Sequence, residues 1–321
     1  MQVDDQVPTS NVIRSEEFWY PDGSVVLVAG NTTFRVYQGL LSQHSVVFRD
    51  MFTIPQPEIA EKMDGCPIVR LSESPQELVH VLRVLHGGNL NLLRPDVEGI
   101  PFAILAALVR FGHKYEMLML RDQALKLLDQ VFYDTPSKFT EFTFLSEHLD
   151  YAPVEIHLRE AITVVNLARL TNTLSMLPLA LYMCSQLDEE LILGFEQDGR
   201  REQLDPADAV LCVSAKQRLS HDITHLLFRM FEYDDSMSKH CADRDFCVPL
   251  LHDAMERVGL ENYGTVLHFG PLDGWDHFME EAFEPVAPCS SCQSRTCKKK
   301  KLGRMQIWRN LFVYFKLDNQ T

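Results

Sequence analysis

Val25-Val26-Leu27-Val28-Ala29-Gly30-Asn31-Thr32-Thr33-Phe34-Arg35-Val36-Tyr37 is the stretch whose reading decides the fold. Its first five residues are apolar without a break, which suits a strand buried on both faces better than an edge strand. Gly30-Asn31 supplies a two-residue turn. The return run alternates, placing Phe34 and Val36 on one face and Thr33, Arg35 and Tyr37 on the other, so the pair reads as a β-hairpin lying on a core.

The pattern continues in both directions. Ser45 is placed to cap a short helix in which Val47, Phe48, Met51 and Phe52 recur at three-to-four spacing, and Pro55 and Pro57 stop it. After a loop, Ile68-Val69-Arg70-Leu71 predicts a third strand. Ser74-Pro75-Gln76-Glu77 is a capping box with proline at the first helical position, and it opens a helix carrying Leu78, Leu82 and Leu85 on one stripe until Gly87-Gly88. Pro101 begins another helix with the core stripe Phe102, Leu105, Leu108 and Val109, and a further helical pattern, with Leu118, Leu125 and Leu128, runs from about Met117 to Val131.

Phe18-Trp19-Tyr20-Pro21-Asp22-Gly23-Ser24 leading into Val25–Ala29, Phe34–Tyr37 leading to Leu41-Ser42, Ser45–Phe52, and Asp64-Gly65-Cys66-Pro67 leading into Ile68–Leu71 occur here in an order that resembles the BTB/POZ domain. The likeness is to the BTB-containing proteins abundant in mushroom-forming fungi, and Ala107–Tyr115 continues it, so it spans roughly the first 130 residues. In many BTB domains the first strand begins with an aspartate and the second contains a histidine. Here the matching positions are Ser24 and Tyr37, so both members of that polar pair are replaced together. The resemblance implies an α+β fold, homo- or hetero-dimerisation, and service as a substrate adaptor for a cullin-type ubiquitin ligase. For the last role, Ile59-Ala60-Glu61 fits the hydrophobic-x-Glu pattern linked to cullin contact. The apolar segment Phe18, Trp19 and Tyr20 is expected to have surface left for dimerisation.

Residues 1–16 are polar and without periodicity, predicting a disordered tail; 17–133 predict the BTB domain with its helical extension; and 134–321 predict a mostly helical domain ending in a cysteine-containing tail. In that later part, Leu158, Ile162 and Val165 form one stripe and Leu177, Leu181 and Cys184 another. Asp205-Pro206-Ala207-Asp208 opens a helix whose following apolar residues are Val210, Leu211 and Val213. The last sixty residues, richer in Gly, Pro and aromatics, predict irregular packing rather than long helices.

A hydrophobic fraction of 46% with 23% charged residues is that of an ordinary globular protein. The net charge of −15 opposes non-specific binding to nucleic acid or an anionic membrane, since both need a positive surface. No apolar run is long enough to span a bilayer and the N-terminus lacks a secretory pattern, so a cytoplasmic or nuclear location is expected. The eight cysteines lack the dense spacing of a disulfide scaffold and are expected to be mostly reduced.

Two arrangements carry candidate chemistry. His221-Asp222-Ile223-Thr224-His225 sets two imidazoles one helical turn apart, the spacing of a metal-dependent hydrolase, with an aspartate in place of the usual glutamate base; two half-exposed histidines on an amphipathic helix is the plainer reading. Cys289-Ser290-Ser291-Cys292 places two thiols in a loop for one metal, a structural zinc ion. Cys297 is a third candidate ligand, and Cys241, Cys247 or His240 a fourth, against the alternative of free thiols. Lys298–Lys301 follows directly and reads as a solvated charge run or as the import signal of a nuclear regulatory scaffold. No phosphate-binding glycine loop, nucleophile elbow or dinucleotide fingerprint occurs, so the residues show no assembled active site, and what the resemblance implies is a protein-interaction module and not an enzyme.

Overall fold

The computed structural model describes residues 12–55, 61–87, 99–132, 148–151, 154–234, 237, 239–261 and 282–317. The chain divides into two compact units. The first is Met1–Val131 with two short returns, Asp150–Glu155 and Phe195–Glu202; the second holds the rest. Among the described residues no helix is long and apolar enough to cross a membrane.

In the first unit, β1 (Ile13–Trp19), β2 (Val25–Ala29), β3 (Thr32–Val36), β4 (Lys62–Met63) and β5 (Cys66–Leu71) form a five-stranded sheet in the order β1-β3-β2-β5-β4. The hairpin forms as its alternation requires, with Val25 opposite Val36 and Leu27 opposite Phe34, and Gly30 takes the turn at φ 55°. β5 runs parallel to β2, leaving β2 central and wholly buried. A Cβ on Gly23, just before β2, would lie 2.9 Å from Cγ of Arg35, whose Nε donates to the Gly23 carbonyl at 3.0 Å. The Asp22-Gly23 pair therefore lets the chain turn tightly against β3.

β1 carries no signal in the sequence. Residues 13–16 fall in the expected tail, yet they are strand: β1 lies parallel to β3, with the Ile13 N–H donating to the Asn31 carbonyl at 2.8 Å and the Thr33 hydroxyl donating to the Ile13 carbonyl at 3.2 Å. Its side chains are mostly exposed, so no apolar alternation marks it; backbone pairing to β3 makes it a strand. Residues 1–11 of that expected tail lie outside the described residues.

Helices α1 (Gln38–His44), α2 (Val46–Thr53), α3 (Pro75–His86), α4 (Phe102–Lys114) and α5 (Leu118–Phe132) complete the domain. Ser45 caps α2 by accepting from the Phe48 N–H, and its own hydroxyl donates to the Tyr115 carbonyl at 2.5 Å, tying α2 to the end of α4. Both halves of the α3 capping box are made. On α5 the buried stripe is Leu120, Ala124, Leu127, Leu128 and Val131, while Leu118 is exposed. The helix is thus rotated from the stripe expected through Leu118 and Leu125.

The two returns belong to short strands. After β6 (Ile100–Pro101) and β7 (His148–Tyr151), β8 (Val154–His157) sets Val154 and Glu155 parallel to β6. β9 (Phe195–Gln197) and β10 (Arg200–Glu202) form a hairpin through Asp198-Gly199, both at positive φ, the two-residue turn that an Asp-Gly pair favours. Arg110 of α4 ties the second of these returns to α3. Its guanidinium donates to Glu77 at 2.7 Å and to Glu202 of β10, and both carboxylates are buried.

The second unit is helical: α6 (Ala161–Thr171), α7 (Leu177–Ser185), α8 (Glu190–Leu193), α9 (Pro206–Phe231), α10 (Arg244–Glu261), α11 (Ser290–Arg309) and α12 (Leu311–Tyr314). Every residue of α7 is buried, as suits a helix apolar on all sides. Asp205 caps α9, accepting from the Ala207 N–H at 2.8 Å, but the buried stripe is Cys212, Ala215, Leu219, Ile223, Leu226 and Met230; Val210 and Val213 face solvent. The expectation of irregular packing near the end is corrected by α11, which spans twenty residues and carries Cys289 at its N-cap and the whole lysine run.

Candidate interaction surface and cysteine cluster

The two faces of the five-stranded sheet are covered differently. On the outer face, Val26, Val28 and Cys66 form a small buried cluster over which Trp19, Met63 and Ile68 pack while remaining partly exposed. Arg14 lies 4.6 Å above the Trp19 ring and pairs with Asp64 at 3.0 Å. On the inner face, Phe34, Leu41, Phe48, Leu78 and Phe111 are fully or almost fully buried.

The three aromatic residues expected to dimerise part company. Phe18 is 3% exposed, with its ring 5.6 Å from that of His86, so it belongs to the protomer's own core. Tyr20 stacks between Tyr37 and His86 at 5.1 and 5.0 Å. Trp19 alone points to the half-covered outer face. Tyr37 and Ser24 each find another partner: the Tyr37 hydroxyl donates to Asp22 at 2.7 Å, and the Ser24 hydroxyl accepts from the Gln38 N–H at 2.9 Å.

Burial within this aromatic group lowers the His86 pKa from its usual value, because the charged imidazole loses hydration there. A proton then binds the unfolded chain more readily than the folded one. The stability that His86 confers is complete above its unfolded pKa, roughly 6.5, and declines as pH falls from there toward the folded value. The urea midpoint should therefore drop between about pH 7 and 5.5, above the range where carboxylates titrate, and His86→Gln should flatten that part of the profile. A parallel profile for the variant would assign the slope to another group.

Of the residues proposed for cullin contact, Ile59 lies outside the described residues. Glu61 is exposed and its carboxylate is held by Arg70 at 2.7 and 2.9 Å.

His221 and His225 lie on the exposed side of α9 with ring centroids 6.5 Å apart, and the Asp222 carboxylate is engaged by His221 at 3.0 Å and by the Tyr314 hydroxyl. They do not meet a third ligand: among the described residues, the only group of three or more His, Cys, Asp or Glu side chains at metal-binding distance is a set of cysteines elsewhere.

That set is Cys241, Cys247, Cys289 and Cys292, whose sulfur atoms all lie within 4.8 Å of one another. Cys247 sits in the first turn of α10, which Asp243 caps by accepting from the Phe246 N–H at 3.1 Å. Cys289 is the N-cap of α11, Cys292 is in its first turn, and the Cys289 N–H donates to the Cys247 sulfur at 3.2 Å. N–H groups of Ala242 and Cys292 directed at the Cys289 sulfur bring its pKa down to about 6, whereas burial pushes the Cys292 and Cys247 thiols up.

Cys297, a third ligand in the sequence reading, is exposed and outside the cluster. Five residues beyond Cys292 on a helix is about 140° around the axis, so α11 turns it away. His240 is also exposed. Lys298–Lys301 is not a uniform solvated run: Lys300 is 7% exposed and Lys299 pairs with Asp234 at 2.7 Å.

Residues 22–131 match the model of the BTB/POZ domain, in keeping with the small sheet and surrounding helices found there. This defines the class: an α+β chain with an N-terminal BTB/POZ domain, a protein-interaction fold, and a mostly helical C-terminal region. No curated protein and no solved structure matches the chain.

Proposed function

We propose that this chain is a protein-interaction module that self-associates through the outer face of its BTB sheet. The observation that carries the reading is the half-buried apolar layer of Trp19, Met63 and Ile68, a set of large side chains left partly wet on a domain whose fold serves protein binding. An isologous contact between two copies would bury that layer twice over a single axis. An adaptor role toward a cullin-type ligase is the further extension of the same reading. It draws no support from Glu61, whose carboxylate is already engaged by Arg70.

Light scattering coupled to size exclusion should give a dimer mass at micromolar concentration. Trp19→Ser and Met63→Glu should each shift it to monomer while retaining cooperative unfolding. A wild-type protein that stays monomeric throughout the micromolar range, or folded variants that still dimerise, would count against the proposal.

A further inference from the structure

We infer that Cys241, Cys247, Cys289 and Cys292 bind one zinc ion in a closed, structural site that fastens the start of α10 to the start of α11.

The geometry argues for it first. A tetrahedral zinc with sulfur ligands at about 2.3 Å separates the sulfurs by ~3.8 Å, and four sulfurs already within 4.8 Å of one another need little movement to reach that arrangement. Cys247 and Cys292 are fully buried and Cys241 and Cys289 half-buried, so the set offers four ligands and leaves no open coordination position for substrate or water. That is the signature of a structural rather than a catalytic centre.

The electrostatics agree. Four thiolates around a divalent ion carry a net charge of −2, which requires compensation. Three of these cysteines stand at the first turns of two helices, where unpaired N–H groups and the positive ends of the helix dipoles favour negative charge. The Cys289 N–H directed at the Cys247 sulfur is one such compensating donor. Binding is a ligand exchange: each thiol gives its proton to solvent as its sulfur replaces a water on the ion, and no electron transfer is involved.

The topology gives the ion its role. The two halves of the site are 42 residues apart in sequence at Cys247 and Cys289, so one ion closes a long loop and anchors α11.

The test uses the full chain, purified under reducing conditions. Elemental analysis should find one zinc per chain. Replacement by cobalt should produce the thiolate-to-metal charge-transfer absorption and intense visible bands of a tetrahedral sulfur site. Cys292→Ser and Cys247→Ser should each lose the metal and become sensitive to protease around α11, whereas Cys297→Ser and the double change His221→Ala, His225→Ala should retain both metal and resistance. Because a ligand variant can fail for lack of folding, the decisive measurement is cobalt titration of the wild type: saturation at one equivalent with a tetrahedral thiolate spectrum supports the site. No binding by the fully reduced protein, iron instead of zinc after purification, or zinc that survives Cys292→Ser and leaves with the histidine pair would each overturn it.

Discussion

Phe48→Ala lowers the free energy of unfolding by about 3–5 kcal/mol, the range for removing a fully buried phenylalanine from a core that only partly relaxes. Phe48 has no exposed surface, and its ring lies 4.8 Å from Tyr115, 5.8 Å from Phe52 and 6.2 Å from Phe111. Its backbone N–H is the group that Ser45 caps, and the same serine hydroxyl reaches the Tyr115 carbonyl. The ring thus fills the volume between two helices already tied by hydrogen bonds, and that tie limits collapse around the cavity. Urea denaturation followed by circular dichroism checks the value. Phe48→Leu, which restores most of the volume, should recover more than half of the loss, and equal effects from the two substitutions would mean that shape rather than burial sets the cost.

Arg110→Ala costs a similar amount, about 3–5 kcal/mol, for an electrostatic reason. The Glu77 and Glu202 carboxylates retain 6% and 4% side-chain exposure, and Arg110 donates to both from separate guanidinium nitrogens. Removing the cation leaves two like charges buried; Arg200, 3.1 Å from Glu202 but half-exposed, neutralises only one of them. Arg110→Lys keeps the charge but lacks the planar fork, so it should recover only part of the stability. The check is the unfolding free energy of both variants. A loss below about 1 kcal/mol for Arg110→Ala would mean that water reaches the carboxylates and that the bridge behaves as a surface pair.

The parts of this protein written legibly in its sequence are those fixed by neighbours a few residues apart. The hairpin follows from an unbroken apolar run, a Gly-Asn turn and an alternating return. The starts of α2, α3 and α9 follow from Ser45, Ser74 and Asp205, side chains that satisfy backbone groups one turn away. The Asp198-Gly199 hairpin carries a local turn pair too, but it is not predicted from the sequence, because its three-residue strands are too short to show alternation.

What only the tertiary structure decided depends on groups far apart in the chain. β1 is a strand because β3 offers it backbone partners, while its own side chains show no period. Phe18 is withdrawn from any interface because α3 brings His86 beside it. The burial phase of α9 is set by the helices packed on it, which leaves Val210 and Val213 wet and covers Cys212 and Ala215. The Cys289-Ser290-Ser291-Cys292 motif announced two of the clustered sulfurs. That Cys241 and Cys247 join them follows from the meeting of two helix starts distant in sequence, which local spacing does not encode; Cys297 stays outside because the segment is a helix and not the loop expected.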